Sequence, residues 1–426
     1  MKLAAKKYSS LEKIKGAFNK WLLIRDPYLL EVVLGTVAAH LLGEDPLWLF
    51  IVAPPSSAKT EILNSLRDLE DCIYPLSDLT PQTLISGYQG TRRDPSLLPK
   101  LNEKIITMKD FTTVLTKHRD ARGEILSQLR EVYDGSYVKS FGTGEEKRWE
   151  GRVGFIAGVT EVIDSQTAVH SILGERFILY RHQAVEEDRK RIARRAMENA
   201  GTENIMREEL REAVEGFIED LGPLEGVQIH MPEPVIDTIA ALADLTAKGR
   251  AAVPRDGYSR QICYIPQPET PARLAKQFAL LAKGIAVVRG RRTVTEKELE
   301  VIRKVARDTM IRQRVLVLNA LSRDWAETKP IAQAICHPTR TTLERLEDCY
   351  ILNLVERDME EDEGEVYSRN VNTPYRWRLA EGIAKDIEES GIFPGARYEE
   401  PLDEDPFADA ERDDRRPSSK PGRFYR

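Results

Sequence analysis

At 426 residues the chain is long enough for two or three domains, each with its own core, and a single compact unit is not expected. Hydrophobic residues make up 41% and charged residues 31%, and no apolar run approaches a bilayer-spanning length, which excludes a membrane-spanning helix and predicts a soluble protein. The formal net charge of −6, from 63 Lys and Arg against 69 Asp and Glu, excludes the overall basic footprint of many nucleic-acid-binding domains, so any contact with nucleic acid has to come from local patches.

Met1 to Lys7 carry charge with no apolar stretch behind them, so no secretion signal is read there and a cytoplasmic location is expected. Residues 1–45 predict a helical lead-in: Leu11, Ile14, Phe18, Trp21 and Leu22 share one stripe, and Asp26-Pro27 supply an N-cap and first-turn proline for a second helix. Leu47 to Val52 is a continuous apolar run, as in a strand buried on both faces, and opens an α/β domain over 46–185. Further strands are predicted at Lys104 to Met108, Val153 to Ala157 and Phe177 to Tyr180, in the alternation of a parallel sheet with crossover helices. A helix carrying Leu126 and Leu129 is followed by two short runs about a glycine-rich turn, Tyr137 to Trp149, which reads as a β-hairpin.

Residues 186–308 read as helices throughout, with Thr295 and Glu298 as a capping box before the stripe Leu299, Ile302, Val305, Ala306. Over 309–382 three helical patterns precede two β-like runs, Leu352 to Val355 and Tyr375 to Leu379, which is the order of a winged helix. From 383 to 426 the chain is expected to be a disordered acidic and basic tail, with Asp403 to Phe407 and Arg415-Arg416 able to recruit a replication partner or simply to solvate the end. Cys72, Cys263, Cys336 and Cys349 are scattered without a Cys-x-x-Cys pair and the six histidines do not cluster, so neither a disulfide framework nor a zinc site is expected.

Ala53-Pro54-Pro55-Ser56-Ser57-Ala58-Lys59-Thr60 sits between the first buried strand and a helical pattern, the context of a phosphate-binding loop of the Walker A type. Its backbone N–H groups and the helix N-terminus would surround the phosphates of ATP, Lys59 would reach the β- and γ-phosphates, and the Thr60 hydroxyl would hold Mg²⁺. Alanines stand at both consensus glycines, Ala53 and Ala58; the competing reading is a plain turn before a helix. Ile105 to Phe111 looks like the acidic strand that organises Mg²⁺ and the attacking water, with Asp110 as its acid. In the carboxy-terminal segment Leu343 and Leu346 are expected to face inward, and Arg340, Thr341, Thr342 and Arg345 outward, where they would reach a DNA groove. Arg369, Asn370 and Asn372 would touch phosphates; winged helices also serve as protein-binding modules, and the acidic Glu360 to Glu363 oppose backbone contact.

Taken in order, these motifs resemble the minichromosome maintenance (MCM) helicases, ring-forming ATPases of the AAA+ class, and prophage-type ATPases whose strand end likewise reads Lys-Asp-Phe-Thr. The resemblance covers Leu47 to about Ala380 and implies an AAA+ P-loop core with a parallel sheet, a helical lid and a carboxy-terminal winged helix. MCM proteins also carry alanine immediately before the loop lysine, as Ala58-Lys59 does, whereas Ala53 departs from the pattern. Matching on Phe111 puts Lys109 where the family has its metal-binding acid and Asp110 where it has the water-polarising one. The resemblance further implies Thr160 as sensor of the γ-phosphate, Arg176 as a finger reaching the neighbouring subunit's nucleotide and Arg273 as a second sensor. Lys139, Lys147 and Arg148 of the hairpin would grip DNA in a hexamer's pore. The expected function is an ATP-dependent DNA translocase or helicase in replication. The alternatives are an origin-binding initiator or helicase loader acting as an ATP switch, and a P-loop protein without catalysis. No counterpart of the large amino-terminal oligonucleotide-binding domain of cellular MCM proteins is expected within these 426 residues.

Overall fold

The structure, a computed structural model, describes residues 10–86, 96–142, 144–165, 176–182, 186–256, 258–358 and 375–393. Two helices precede the sheet: α1 (Leu11–Leu22), which buries Ile14, Ala17 and Phe18, and α2 (Leu29–Leu41), which is buried almost all round. α2 starts two residues later than Asp26-Pro27 suggested. The Asp26 carboxylate instead accepts the Tyr28 N–H (3.1 Å) in a turn before the helix, and also accepts the Tyr180 hydroxyl (2.5 Å).

The next elements are β1 (Trp48–Val52), α3 (Lys59–Ser65), β2 (Ile73–Leu76), α4 (Leu98–Leu101), β3 (Lys104–Met108), α5 (Thr112–Leu115) and α6 (Arg119–Tyr133). The hairpin β4 (Ser136–Ser140) and β5 (Glu146–Glu150) follows, then β6 (Val153–Val159) and β7 (Ile178–Arg181). Strands pair in the order β2-β3-β6-β1-β7, all parallel, so the protein has an α/β core built on a five-stranded parallel sheet. β2 escapes a sequence reading because it is four residues long and contains Pro75, a residue a sheet tolerates at its edge, where β2 lies. On one face Trp48, Phe50, Phe111, Phe155 and Phe177 form an aromatic core, with Phe50 stacked on Phe177 at 3.7 Å. The alternate residues Leu49, Ile51, Ile105, Ile156 and Ile178 pack on the other face with α2.

Five helices follow: α7 (Arg189–Glu198), α8 (Glu203–Leu221), α9 (Glu233–Arg250), α10 (Ala272–Val288) and α11 (Glu296–Thr309), the last opened by the Thr295/Glu298 capping box. The segment is not helical throughout, as had been expected. Residues 251–256 and 258–271, with prolines at 254, 266, 268 and 271, lie outside any helix, and an isolated bridge joins Arg255 to Ile262. The chain continues with α12 (Arg312–Ala320), β8 (Ala326–Glu327), α13 (Thr328–Ala334), α14 (Thr339–Ile351), β9 (Val355–Asp358), β10 (Arg376–Leu379) and α15 (Glu381–Ser390). β10 is central in an antiparallel β8-β10-β9 sheet. The strand expected from Leu352 begins only at Val355, because α14 ends in a turn with Asn353 at φ 55° and the Leu354 N–H bonded to Cys349 O (2.8 Å). Nor does the tail begin at 383: α15 runs to Ser390, buries Ile383 and Ala384, and has its end held by Arg303 Nε on Ser390 O (2.6 Å). The rest of that tail, the expected wing contacts Arg369, Asn370 and Asn372, and the acidic 360–363 lie outside the described residues. Among the described residues no helix is long and apolar enough to cross a membrane.

The closest helix contact joins the lead-in to the later helices. A Cβ on Gly284 of α10 would lie 2.0 Å from the Gly35 carbonyl oxygen of α2, so only glycine permits this approach of two backbones. Gly284→Ala is therefore expected to lower stability by about 2 kcal/mol or more in urea unfolding, whereas Gly16→Ala, where nothing lies within 4 Å, changes it by under about 1 kcal/mol.

His40, at the end of α2, is 2% exposed, and its Nε2 lies 3.0 Å from Glu103 O. Burial, reinforced by the Arg152 guanidinium, pushes its pKa down to about 4, against the pull of that carbonyl. The native state therefore needs the neutral ring. Stability is full above the ordinary histidine value of 6.5 and falls as pH drops toward 4. Over that window the wild type is expected to lose on the order of 3 kcal/mol that His40→Gln does not, measured as the difference between their urea midpoints at pH 7 and pH 4.5.

Candidate functional site

Parallel strands bring their carboxyl ends to one edge of the sheet, and the loop after β1 leaves from there. Between Val52 and Lys59 the chain turns through Ser56 at φ 61° and Ala58 at φ 65°, left-handed conformations that cost an L-residue roughly 1–2 kcal/mol each. The turn is held by Ala53 N–H on Val159 O (3.1 Å) and by Lys59, whose ammonium donates to Pro54 O (3.2 Å), Val159 O (3.2 Å) and Ala53 O. Lys59 is 7% exposed; burial lowers its pKa, against the pull of the Asp110 and Glu161 carboxylates. Pro54 and Pro55 have no N–H, so anion donors in this loop come from Ser56 onward and from the first turn of α3. Ser57 Oγ is shielded from solvent and has no hydrogen-bond partner among the described residues.

Two strands along, β3 ends at Met108 and presents Lys109 and Asp110, both exposed. Phe111 then turns into the aromatic core, its N–H bonded to Gly158 O (2.7 Å). Any Cβ at Gly158 would sit 2.5 Å from the Lys109 carbonyl oxygen, so β6 must carry glycine where it passes the end of β3. Asp110 Oδ1 accepts the Thr112 N–H (2.9 Å). The Thr160 N–H donates to Thr112 Oγ1 (3.1 Å), and the two hydroxyls lie 3.2 Å apart. Thr112 was not singled out from the sequence, although its spacing from Asp110 is that of an aspartate-capped turn.

Lys59, Thr60, Asp110 and Thr160 line one cavity of about 520 Å³, together with Pro55, Ser56, Ser57, Ala58, Glu61 and Lys109. Its far wall comes from α1, α7 and α8: Trp21, Leu22, Ile192, Arg195, Ala196, Asn199, Glu203 and Met206. Sequence reading missed that wall, which is latched by Asn199 Nδ2 on Trp21 O (2.8 Å) and Trp21 Nε1 on Glu209 (2.9 Å). Glu61 is gripped by Arg207 of α8 (2.8 and 2.9 Å). Burial works to raise the Glu61 pKa, but the hydrogen bonds of Arg207 and Asn64 and the charges of Arg207 and Lys109 together hold it low.

The two arginines lie elsewhere. Arg176, just before β7, is 3% exposed, is paired with Asp134 (2.5 Å) and stands 5.5 Å from the Tyr133 ring centre. Its backbone carbonyl takes Gln277 Nε2 (2.6 Å). It is thus engaged within its own chain rather than held out as a finger. Arg273 stands over the same Tyr133 ring (5.9 Å) and lines a second cavity of about 670 Å³ with Gly43 to Pro46, Asp134, Arg152 and Lys276. That cavity adjoins the amino ends of β1 and β6, so Arg273 does not join Lys59 in the first one. The five residues of β1 separate the two edges by roughly 16 Å.

The hairpin also departs from expectation. Alternation places Lys139 with buried Tyr137, and Lys147 with buried Trp149, on the face turned to the body. Lys139 bonds Glu124 (3.2 Å) and Lys147 donates to Ser86 O (2.6 Å); opposite each other in register, both are half-buried and engaged by these partners. Arg148 alone of the three is on the open face, 75% exposed in its side chain and paired with Glu146 (2.7 Å). On α14, Arg340 is 82% exposed as expected, but Thr342 is fully buried, with its hydroxyl on Pro338 O (3.1 Å). Arg345 is drawn back to the buried Asp348 (2.7 Å), which also receives Arg255 (2.8 Å) from the non-helical segment before α10.

No protein-family model matches the chain, and no curated protein matches it either. The geometry alone therefore carries the assignment of the cavity.

Arg176→Ala is expected to lower stability by about 2 kcal/mol, through loss of a buried guanidinium paired with a half-exposed carboxylate, and the one-third-exposed Arg273→Ala by under about 1 kcal/mol, both from urea unfolding.

Proposed function

We propose that this chain is a DNA-directed P-loop ATPase of the AAA+ class, resembling the MCM helicases, and that the 520 Å³ cavity is its nucleotide site. One observation carries this reading: Lys59, Thr60, Asp110 and Thr160, drawn from three segments spread over a hundred residues, line a single cavity at the carboxyl ends of parallel strands. In that arrangement Lys59 exchanges its carbonyl partners for β- and γ-phosphate oxygens, amides from Ser56 to Thr60 cradle the phosphates, and Thr160 meets the γ-phosphate. The apolar far wall, Trp21, Leu22, Ile192 and Met206, suits a base.

One hydroxyl, Thr60, and one carboxylate, Asp110, are a donor set that fits Mg²⁺ held mainly by phosphates and water, and among the described residues no cluster of three or more potential metal-binding side chains competes for it. When bound, the ion supplies neutralisation of charge between the β- and γ-phosphates. Asp110, already oriented by the Thr112 N–H, positions the attacking water. In the proposed ring, the helices of 186–308 act as lid and those of 309–382 as winged helix. The edge bearing Arg176 and Arg273 faces the neighbour's phosphates, and Arg273 is the more available of the two.

The hairpin favours keeping a second reading, an initiator or helicase loader that uses ATP as an assembly switch. Two of its three basic residues are committed to the body, which leaves Arg148 beside two glutamates as the outward contact for a DNA backbone. Lys59→Ala is expected to abolish ATP binding and DNA-stimulated hydrolysis; unchanged turnover would overturn the nucleotide assignment. A strand-displacement assay with the wild type separates the two readings, since a switch hydrolyses slowly and unwinds nothing.

A further inference from the structure

We infer that Lys109 is a second phosphate-contacting cation of the cavity, and that this chain therefore binds nucleoside triphosphate with little dependence on Mg²⁺. The inference rests on the cavity being the nucleotide site. Lys109 lines the same cavity as Lys59, Ser57 and Thr160. Its backbone is fixed on both sides, by Gly158 against its carbonyl and by Phe111, whose N–H is tied to Gly158 O (2.7 Å) and whose ring is buried. The side chain that leaves this anchored point is exposed and is part of the cavity lining. Glu61, a carboxylate of the same cavity that feels its charge, is already held in two bonds by Arg207.

At the end of such a strand an acid recruits a divalent cation to neutralise the phosphates. A lysine cannot hold that cation; it repels it and brings its own positive charge instead. With Lys59 and Lys109 both turned to the cavity, two protein ammonium groups take over part of the neutralisation that bound metal otherwise gives, leaving Asp110 to orient water.

The test is a titration of the full-length chain with a fluorescent ATP analogue, in Mg²⁺ and in EDTA. The wild type is expected to bind within about threefold in the two buffers, while Lys109→Gln loses about tenfold or more in EDTA and far less in Mg²⁺. Lys109→Arg retains wild-type behaviour, and Lys109→Asp opens a gap of about tenfold between the buffers. Equal affinity of wild type and Lys109→Gln in EDTA overturns the inference, as does loss of wild-type binding in EDTA. If binding in Mg²⁺ is abolished by Lys59→Ala while Lys109→Gln leaves affinity in EDTA unchanged, the nucleotide site stands and only the role of Lys109 falls. Absence of any Lys59-dependent binding removes both.

Discussion

At the point where β3 and β6 end, two backbones pass so closely that one of them must be glycine. Gly158 lies against the Lys109 carbonyl, and its own carbonyl takes the Phe111 N–H at 2.7 Å. Phe111 is buried among Phe50, Phe155 and Phe177, so this junction cannot shift without disturbing the aromatic core. Everything polar at the carboxyl edge is referred to it. Lys109 and Asp110 project from one side, Thr160 leaves from the other, Thr112 joins them, and Val159 O supplies a carbonyl that holds both Ala53 and Lys59. The strained turn through Ser56 and Ala58 is affordable because its two ends are pinned in this way.

The polarity of a parallel sheet then sorts the charged residues. Lys59 and Lys109 gather at the carboxyl edge beside Asp110, while Arg176, Arg273 and Arg152 gather at the amino edge around Tyr133 and Asp134. In the proposed ring, the groups on one edge of a chain would meet those on the opposite edge of its neighbour. The pairing of Arg176 with Asp134 adds a condition: that guanidinium has to exchange one carboxylate for another anion before it acts across an interface.

Much of this was legible in the sequence, and the failures have definite causes. Continuous apolar runs marked β1, β3 and β6, and once the strands are parallel, the residues just after them share an edge; Lys59 was marked by the loop motif, Asp110 by the strand end and Thr160 by the resemblance alone. β2 and β8 were too short to leave a pattern. Lys139 and Lys147 were misjudged although the answer lay in the alternation, since each is two residues from a buried aromatic, Tyr137 or Trp149, and shares its face. The spacing of Ile383, Ala384 and Ile387 marked α15 in the same way, beneath a polar composition. The engagement of Arg176 by Asp134, 42 residues away, and of the carboxyl-edge cavity by Trp21 and Ile192, had no local signal at all.

The notch between Gly35 and Gly284 limits how α10 and α2 can move against each other. Even a Cβ at position 284 has no room beneath the Gly35 carbonyl, so sliding α10 along α2 would carry a bulkier residue into that carbonyl, and the pair acts as a detent that fixes the register of the two helices.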